Sequence, residues 1–251
     1  MERIARESGA TLSTVIQAVW GILLQRYNNT RDVVFGTVVS GRPGEIQGVE
    51  RMVGLFINTI PVRVRTEEEE SFLDLVAKLQ REAWLSERHH YYPLAEIQSR
   101  TAHGGGLVQN LLAFENYPSE EAVKGQDDHG TDLRVLSAKV SEQTNFDFNF
   151  IVVPENDLQI KFRYNSLAYD RNFMERVAGQ IKMIIREIIR CPKIRISDIE
   201  IVPKEESSLL VRDFNHTAGE YRKEQTIQEL LEERAEQRAD HPALVWGGQT
   251  L

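Results

Sequence analysis

An α/β sandwich, a mixed sheet with helices packed on it, is the fold class that three features of the chain predict. Two amphipathic helices, near residues 11–27 and 72–86, interleave with early strand-like runs. A run of strands follows, the last two forming a hairpin, and a long amphipathic helix comes after them. This order suits a layered sheet better than a doubly wound nucleotide fold, in which strands and helices alternate throughout.

In the first helix Leu12, Val15, Ile16, Val19, Trp20, Leu23, Leu24 and Tyr27 recur at spacings of three and four, which places them on one face. Asp32 to Val39 is a β-branched and aromatic run suited to a strand covered on both sides. A Gly-punctuated loop leads to a second apolar segment, Met52 to Val64. Gly54 and Pro61 interrupt that segment and predict a strand entered through irregular backbone. Four glutamates, Glu67 to Glu70, precede the helix from Phe72 to Ser86; the expectation is a solvated charge run that complements the helix dipole.

Further along, a short helix is expected over Leu94–Arg100, a turn at Gly104–Gly106, a strand over Leu107–Phe114 and an exposed loop over Tyr117–Thr131. Of the three strands that follow, the last two alternate: Phe146, Phe148, Phe150 and Val152 before the turn, Leu158, Ile160, Phe162 and Tyr164 after it. Asp170 caps a helix whose face carries Phe173, Val177, Ile181, Ile184, Ile185 and Ile188, and Pro192 helps to end it. A polar stretch from Pro203 to Arg222 reads as linker. Thr226 and Glu229 then form a capping box for a helix through Arg238, and Ala243–Trp246 begins a strand that turns at Gly247 and Gly248. The expected organisation is a lobe over 1–205, a linker over 206–224 and the truncated start of a second domain over 225–251.

The chain has 251 residues, 41% of them hydrophobic and 27% charged, enough for one sizeable core. A formal net charge of −8 disfavours nucleic acid as a partner, since phosphate binding relies on clustered Lys and Arg. No apolar stretch approaches the length of a membrane span and the amino terminus has no apolar leader, so the expectation is a cytoplasmic protein. The single cysteine, Cys191, excludes an internal disulfide and is expected to be a buried or inert thiol.

Two segments carry a family resemblance. Val33 to Val64 contains Ser40-Gly41-Arg42-Pro43 and Val53-Gly-Leu-Phe-Ile-Asn-Thr59, the latter of the form I/V-G-x-F-x-N-T. Downstream, His89-His-Tyr-Tyr-Pro-Leu94 is similar to a motif H-Q-x-x-P-F/L, with His90 in place of Gln. In these features the chain resembles the C-terminal lobe of condensation domains of nonribosomal peptide synthetases, and its tail from Phe214 resembles the opening of an adenylation domain. A loop rich in Arg, Ser and Asn in that family is barely matched by Ser99–Gly106, which stays unassigned.

The resemblance implies two lobes, each similar to a chloramphenicol acetyltransferase subunit, with a tunnel between them. It implies peptide-bond formation between thioesters held on the phosphopantetheine of donor and acceptor peptidyl carrier proteins, with no cofactor bound directly. The expected partners are a first condensation lobe, those carrier proteins and an adjoining adenylation domain. The family's catalytic signature, H-H-x-x-x-D-G, belongs to the first lobe. His89-His90 imitates it superficially, but Leu94 and Ala95 stand where Asp and Gly are required, so neither histidine is expected to be catalytic. Adjacent histidines also point to different sides and lack a third ligand, so no metal site is expected and both read as partly exposed residues at a helix end.

Ser40, Gly41 and Arg42 lie where a buried strand leaves the core; they could face the tunnel, or form a plain turn with Arg42 in solvent. Asn58 and Thr59 could hold a loop that crosses to the other lobe, or satisfy local backbone groups. Gly54, Phe56, His89 and Pro93 are read as structural members of the motifs. Alone, the lobe is expected to be inactive; the rival readings are a scaffold that docks carrier proteins and the lobe of an epimerization domain.

Overall fold

A computed structural model describes residues 1–115, 144–154, 157–217, 219 and 224–250. The chain forms two compact units, Met1–Pro203 and Lys204–Leu251.

The first unit opens with α1 (Glu2–Glu7) and α2 (Leu12–Tyr27), continues through β1 (Asp32–Val39), β2 (Asn58–Arg65), α3 (Phe72–Glu87), α4 (Leu94–Ser99), β3 (Asn110–Phe114), β4 (Phe148–Pro154) and β5 (Leu158–Tyr164), and reaches α5 (Arg171–Arg190). Three of these helices begin at side chains that accept a free backbone N–H: Thr11 from Thr14, Ser71 from Asp74 and Asp170 from Phe173. Helix α1 was not foreseen; its six residues bury only Ile4 and Ala5, too little for a periodic signal.

The sheet order is β2-β1-β3-β4-β5, antiparallel at both ends and parallel in the middle. Strand β1 occupies the residues the β-branched run predicted, and β2 pairs with it from Asp32↔Arg65 to Val39↔Asn58. Pro61 sits on β2, at the edge of the sheet formed by the described residues, where a missing N–H is tolerated. Strand β3 begins at Asn110 rather than Leu107, because Val108 lies close to the β1 residue Gly36 instead of continuing the ladder. The first of the three expected later strands falls between Thr131 and Gln143, outside the described residues.

One face of the sheet and helices α1, α2, α3 and α5 enclose the core, which includes Phe35, Leu112, Phe150, Ile181 and Ile184, all fully buried. Each such side chain contributes about 1.5–3 kcal/mol relative to exposure. Trp20 of α2 stacks on Phe148 at 5.3 Å between ring centroids, and its indole N–H donates to Asn110 Oδ1 at 2.9 Å. Gly21 lets α2 approach β2 closely, for a Cβ there would lie 2.6 Å from a Val64 methyl carbon. Buried polar groups are partnered: Gln25 Nε2 donates to the carbonyls of Arg31 and Val64, and Gln25 Oε1 accepts from Thr66.

One expectation is refined and one corrected. Glu67, Glu68 and Glu69 are exposed, as a solvated charge run predicts, and pair at the surface with Arg65, Arg31 and Arg195, while Glu70 pairs with Lys78. The last pair, at 2.6 Å and with the Glu70 side chain only 10% exposed, is the one shielded from solvent screening. The run also pairs by backbone with the segment after α5, through Phe72 N to Ile194 O and Ile196 N to Glu70 O. Cys191 is exposed rather than buried, because it follows the last turn of α5 where the chain turns away from the apolar face.

The second unit holds α6 (Lys204–Ser208), which continues into a π-helical turn at Leu209–Asp213 where linker was expected; Pro203 immediately before it is a helix-start signal. Helix α7 (Ile227–Gln237) carries the predicted capping box, with Thr226 N donating to Glu229 Oε2 at 2.7 Å and Glu229 N to Thr226 Oγ1 at 3.3 Å. Strands β6 (Val245–Trp246) and β7 (Gln249–Thr250) turn at Gly247 and Gly248, both at positive φ as a two-residue hairpin requires. No residue of α7 is buried.

Candidate functional site

Strand β1 leaves the core at Val39, and the chain returns to pair with it at Asn58. The intervening loop, 40–57, folds on itself. Gly41 has φ +61°, and a Cβ there would sit 1.8 Å from the Phe56 carbonyl oxygen, so only glycine fits. Arg42 donates to the carbonyls of Val49 and, at 3.0 Å, Met52, and its guanidinium lies 4.2 Å from the Phe56 ring centroid. Ser40 is exposed, and its hydroxyl accepts the Arg42 N–H at 3.4 Å. Gly54 lies beside the Phe56 ring, leaving Val53 and Leu55 at the loop's tip fully exposed, at 103% and 95%.

At the loop's return, the Asn58 side-chain amide donates to His90 O at 2.7 Å and Tyr92 O at 2.9 Å, while its Oδ1 accepts the Thr59 N–H at 2.9 Å. Asn58 therefore joins β2 to the turn after α3. In that turn His89 is exposed and accepts from Arg88 Nε at 3.1 Å. His90 is half-buried, with Nε2 3.3 Å from Ser86 Oγ. Burial holds the His90 imidazole below its ordinary pKa, against the opposing pull of Glu87. Pro93 precedes α4 at its N-terminus, and the Tyr92 phenol beside it is pushed up by its hydrogen bond to Glu96.

Asn58 and Thr59 line a cavity of about 900 Å³ together with Gln98 of α4, Gln109, Asn145 and Tyr169. Asn58, Gln98, Gln109 and Asn145 give its polar lining four carboxamides, neutral groups that both donate and accept hydrogen bonds, and Asp147 adds a carboxylate. Ser40, Gly41 and Arg42 do not line it; they belong to the adjacent loop. Gln98, Gln109, Asn145 and Tyr169 were not among the site residues expected from the sequence, although Asn145 and Tyr169 lie in segments, 143–147 and 164–170, that resemble the family's closing strands and last helix. Among the described residues no cluster of His, Cys, Asp or Glu could hold a metal, and no helix is long and apolar enough to cross a membrane.

Residues 1–211 match the family model of the condensation domain. The chain belongs to the condensation-domain family. This condensation domain is 41% identical over 251 residues to tyrocidine synthase 3 of Brevibacillus parabrevis, covering 99% of the chain and 4% of that protein. It is 38% identical over 245 residues to gramicidin S synthase 2 of Brevibacillus brevis, covering 97% of the chain and 6% of that protein. The chain thus spans less than a tenth of the length of these curated relatives. Its fold resembles the first condensation domain of the CDA synthetase, with a TM-score of 0.62 at 19% identity, over 80% of this chain and 45% of that one. It also resembles a four-domain nonribosomal peptide synthetase solved with AMP and glycine, with a TM-score of 0.70 at 16% identity, over 99% of this chain and 20% of that one. The mixed sheet with packed helices agrees with the expected fold class.

Proposed function

We propose that residues 1–205 act as the C-terminal lobe of a condensation domain in a nonribosomal peptide synthetase, supplying tunnel wall and acceptor-side surface for peptide-bond formation. In that reaction the amine of an acceptor aminoacyl thioester attacks the carbonyl carbon of the donor thioester. A C–N bond forms, the C–S bond breaks, the donor carrier's thiol leaves and the amine gives up a proton. The demands are alignment of two tethered chains and stabilisation of the tetrahedral intermediate.

The observation that carries this reading is the carboxamide-lined cavity at Asn58 and Thr59, within a stretch belonging to the condensation family. Phosphopantetheine, carried by the partner proteins, presents amides to such a wall; Gln98 and Gln109 are assigned to hold it, while Asn58, whose amide protons are committed to His90 O and Tyr92 O, shapes the wall. Acid–base chemistry is assigned to a partner lobe bearing H-H-x-x-x-D-G, a motif not found in these 251 residues. The lobe by itself is accordingly inactive. The exposed tip of the 40–57 loop meets that partner lobe. Residues 225–251, a capped helix and a hairpin, are assigned as the start of an adenylation domain, with 206–224 as the connection.

Titration with a separately produced first lobe tests the reading. The chain with loaded carrier proteins yields no dipeptidyl thioester, and adding the first lobe restores it. Carrier binding without restoration would instead support a scaffold.

A further inference from the structure

We infer that Arg42 is a positioning residue that locks the 40–57 loop into one shape, so that the loop meets the partner lobe preformed. It is not a contact to substrate. The inference rests on the loop–lobe docking proposed above, but the lock itself rests on three local observations. The guanidinium bridges two carbonyls of the loop, those of Val49 and Met52, three residues apart. Its Cζ lies 4.2 Å from the Phe56 ring centroid, so the group that holds the two carbonyls also lies over the ring. At Gly41 the two ends of the loop touch, since the Phe56 carbonyl occupies the space a side chain would need. One residue thereby ties the outgoing limb (Arg42), the helical turn at Val49–Arg51 and the returning limb (Phe56) together.

What the lock presents is the segment between its last two attachment points. Val53 and Leu55 stand fully exposed there, held between Met52 and Phe56, both of which Arg42 touches. Ordering a long exposed loop on binding reduces affinity, and a loop already ordered avoids that loss. Lysine cannot replace the arginine, for a point charge with no planar face does not bridge two carbonyls and stack on a ring together.

Hydrogen exchange on the whole 251-residue chain tests the lock directly. In R42A the amides of Val49, Arg51 and Met52 should exchange about tenfold faster than in wild type, with α5 unchanged. R42K should behave like R42A, and F56L, which keeps the guanidinium, should fall between. Unchanged exchange at these amides in R42A would overturn the inference, and if R42A does not fold, F56L decides in the same way. Titration with the first lobe gives the second readout. The half-saturating lobe concentration should rise about tenfold in R42K, with turnover at saturation within about twofold of wild type. Lower turnover at an unchanged half-saturation point would mean that Arg42 acts on substrate. Failure of the wild-type chain to support condensation would remove the functional reading, while the exchange data would still decide the lock.

Discussion

Asn58 holds the backbone of His90: its side-chain amide donates to the His90 carbonyl at 2.7 Å, and with its second proton reaches Tyr92 O at 2.9 Å. The first residue of β2 therefore fixes the turn that leads from α3 to α4, and with it one side of the carboxamide-lined cavity. Asn58→Ala leaves both carbonyls without this donor and should destabilise the first unit by about 1–3 kcal/mol. Urea unfolding measures the loss, and faster amide exchange confined to residues 88–93 would locate it. Asn58→Asp should do no better, because a carboxylate accepts where the site requires a donor.

Gln25 offers a harsher test of buried polar matching. It is 6% exposed and makes three hydrogen bonds, to Arg31 O, Val64 O and Thr66 Oγ1. Gln25→Leu keeps the volume but strands those groups, and should lower stability by about 2–3 kcal/mol in denaturant titration.

Gly21 sets the distance between α2 and the sheet. Although alanine is the better helix former, Gly21→Ala brings a methyl within 2.6 Å of the Val64 side chain and should cost about 1–3 kcal/mol in thermal or urea unfolding. The double variant Gly21→Ala/Val64→Ala should recover part of that loss, since it removes the atoms in conflict.

His90 gives the first unit a pH dependence of defined sign. Burial lowers its pKa in the folded state from the ordinary value of 6.5, so below that pH the unfolded chain binds more protons than the folded one. Stability is full above pH 6.5 and falls as the pH drops from there toward the folded-state pKa. Unfolding titrations at pH 7.5 and 5.5 should show the decline, and His90→Gln should flatten it. Asp32, held low chiefly by its hydrogen bond from Arg63, loses its stabilising effect only in more acidic solution, so the two contributions separate.

Much of the fold was legible because its signals are local. The β-branched run at 32–39, the caps at Thr11 and Asp170 and the Thr226 capping box each depend on residues within a turn or a strand of one another. What escaped depends on distant partners. Asn58 meets carbonyls 32 and 34 residues away, and Glu69 meets Arg195 across most of the unit, so neither sequence neighbourhood reveals the role. Arg42 illustrates a different limit: its motif marks a loop, but only in the fold does the guanidinium meet Phe56, fourteen residues on. The cavity wall was hidden for a similar reason, as Gln98, Gln109 and Asn145 come from separate segments and carry no common spacing.

Pro61 also bears on how copies of this lobe behave at high local concentration. Strand β2 is an outer strand among the described residues, and an outer strand is a template on which another chain can add and aggregate. At Pro61 the row of donors is interrupted, and Arg63 and Arg65, both largely exposed, follow it on the same strand. A second chain would have to forgo a hydrogen bond and make room for the Arg63–Asp32 and Arg65–Glu67 ion pairs. The same residue that breaks the apolar run in the sequence thus helps to keep the sheet from growing beyond its own molecule.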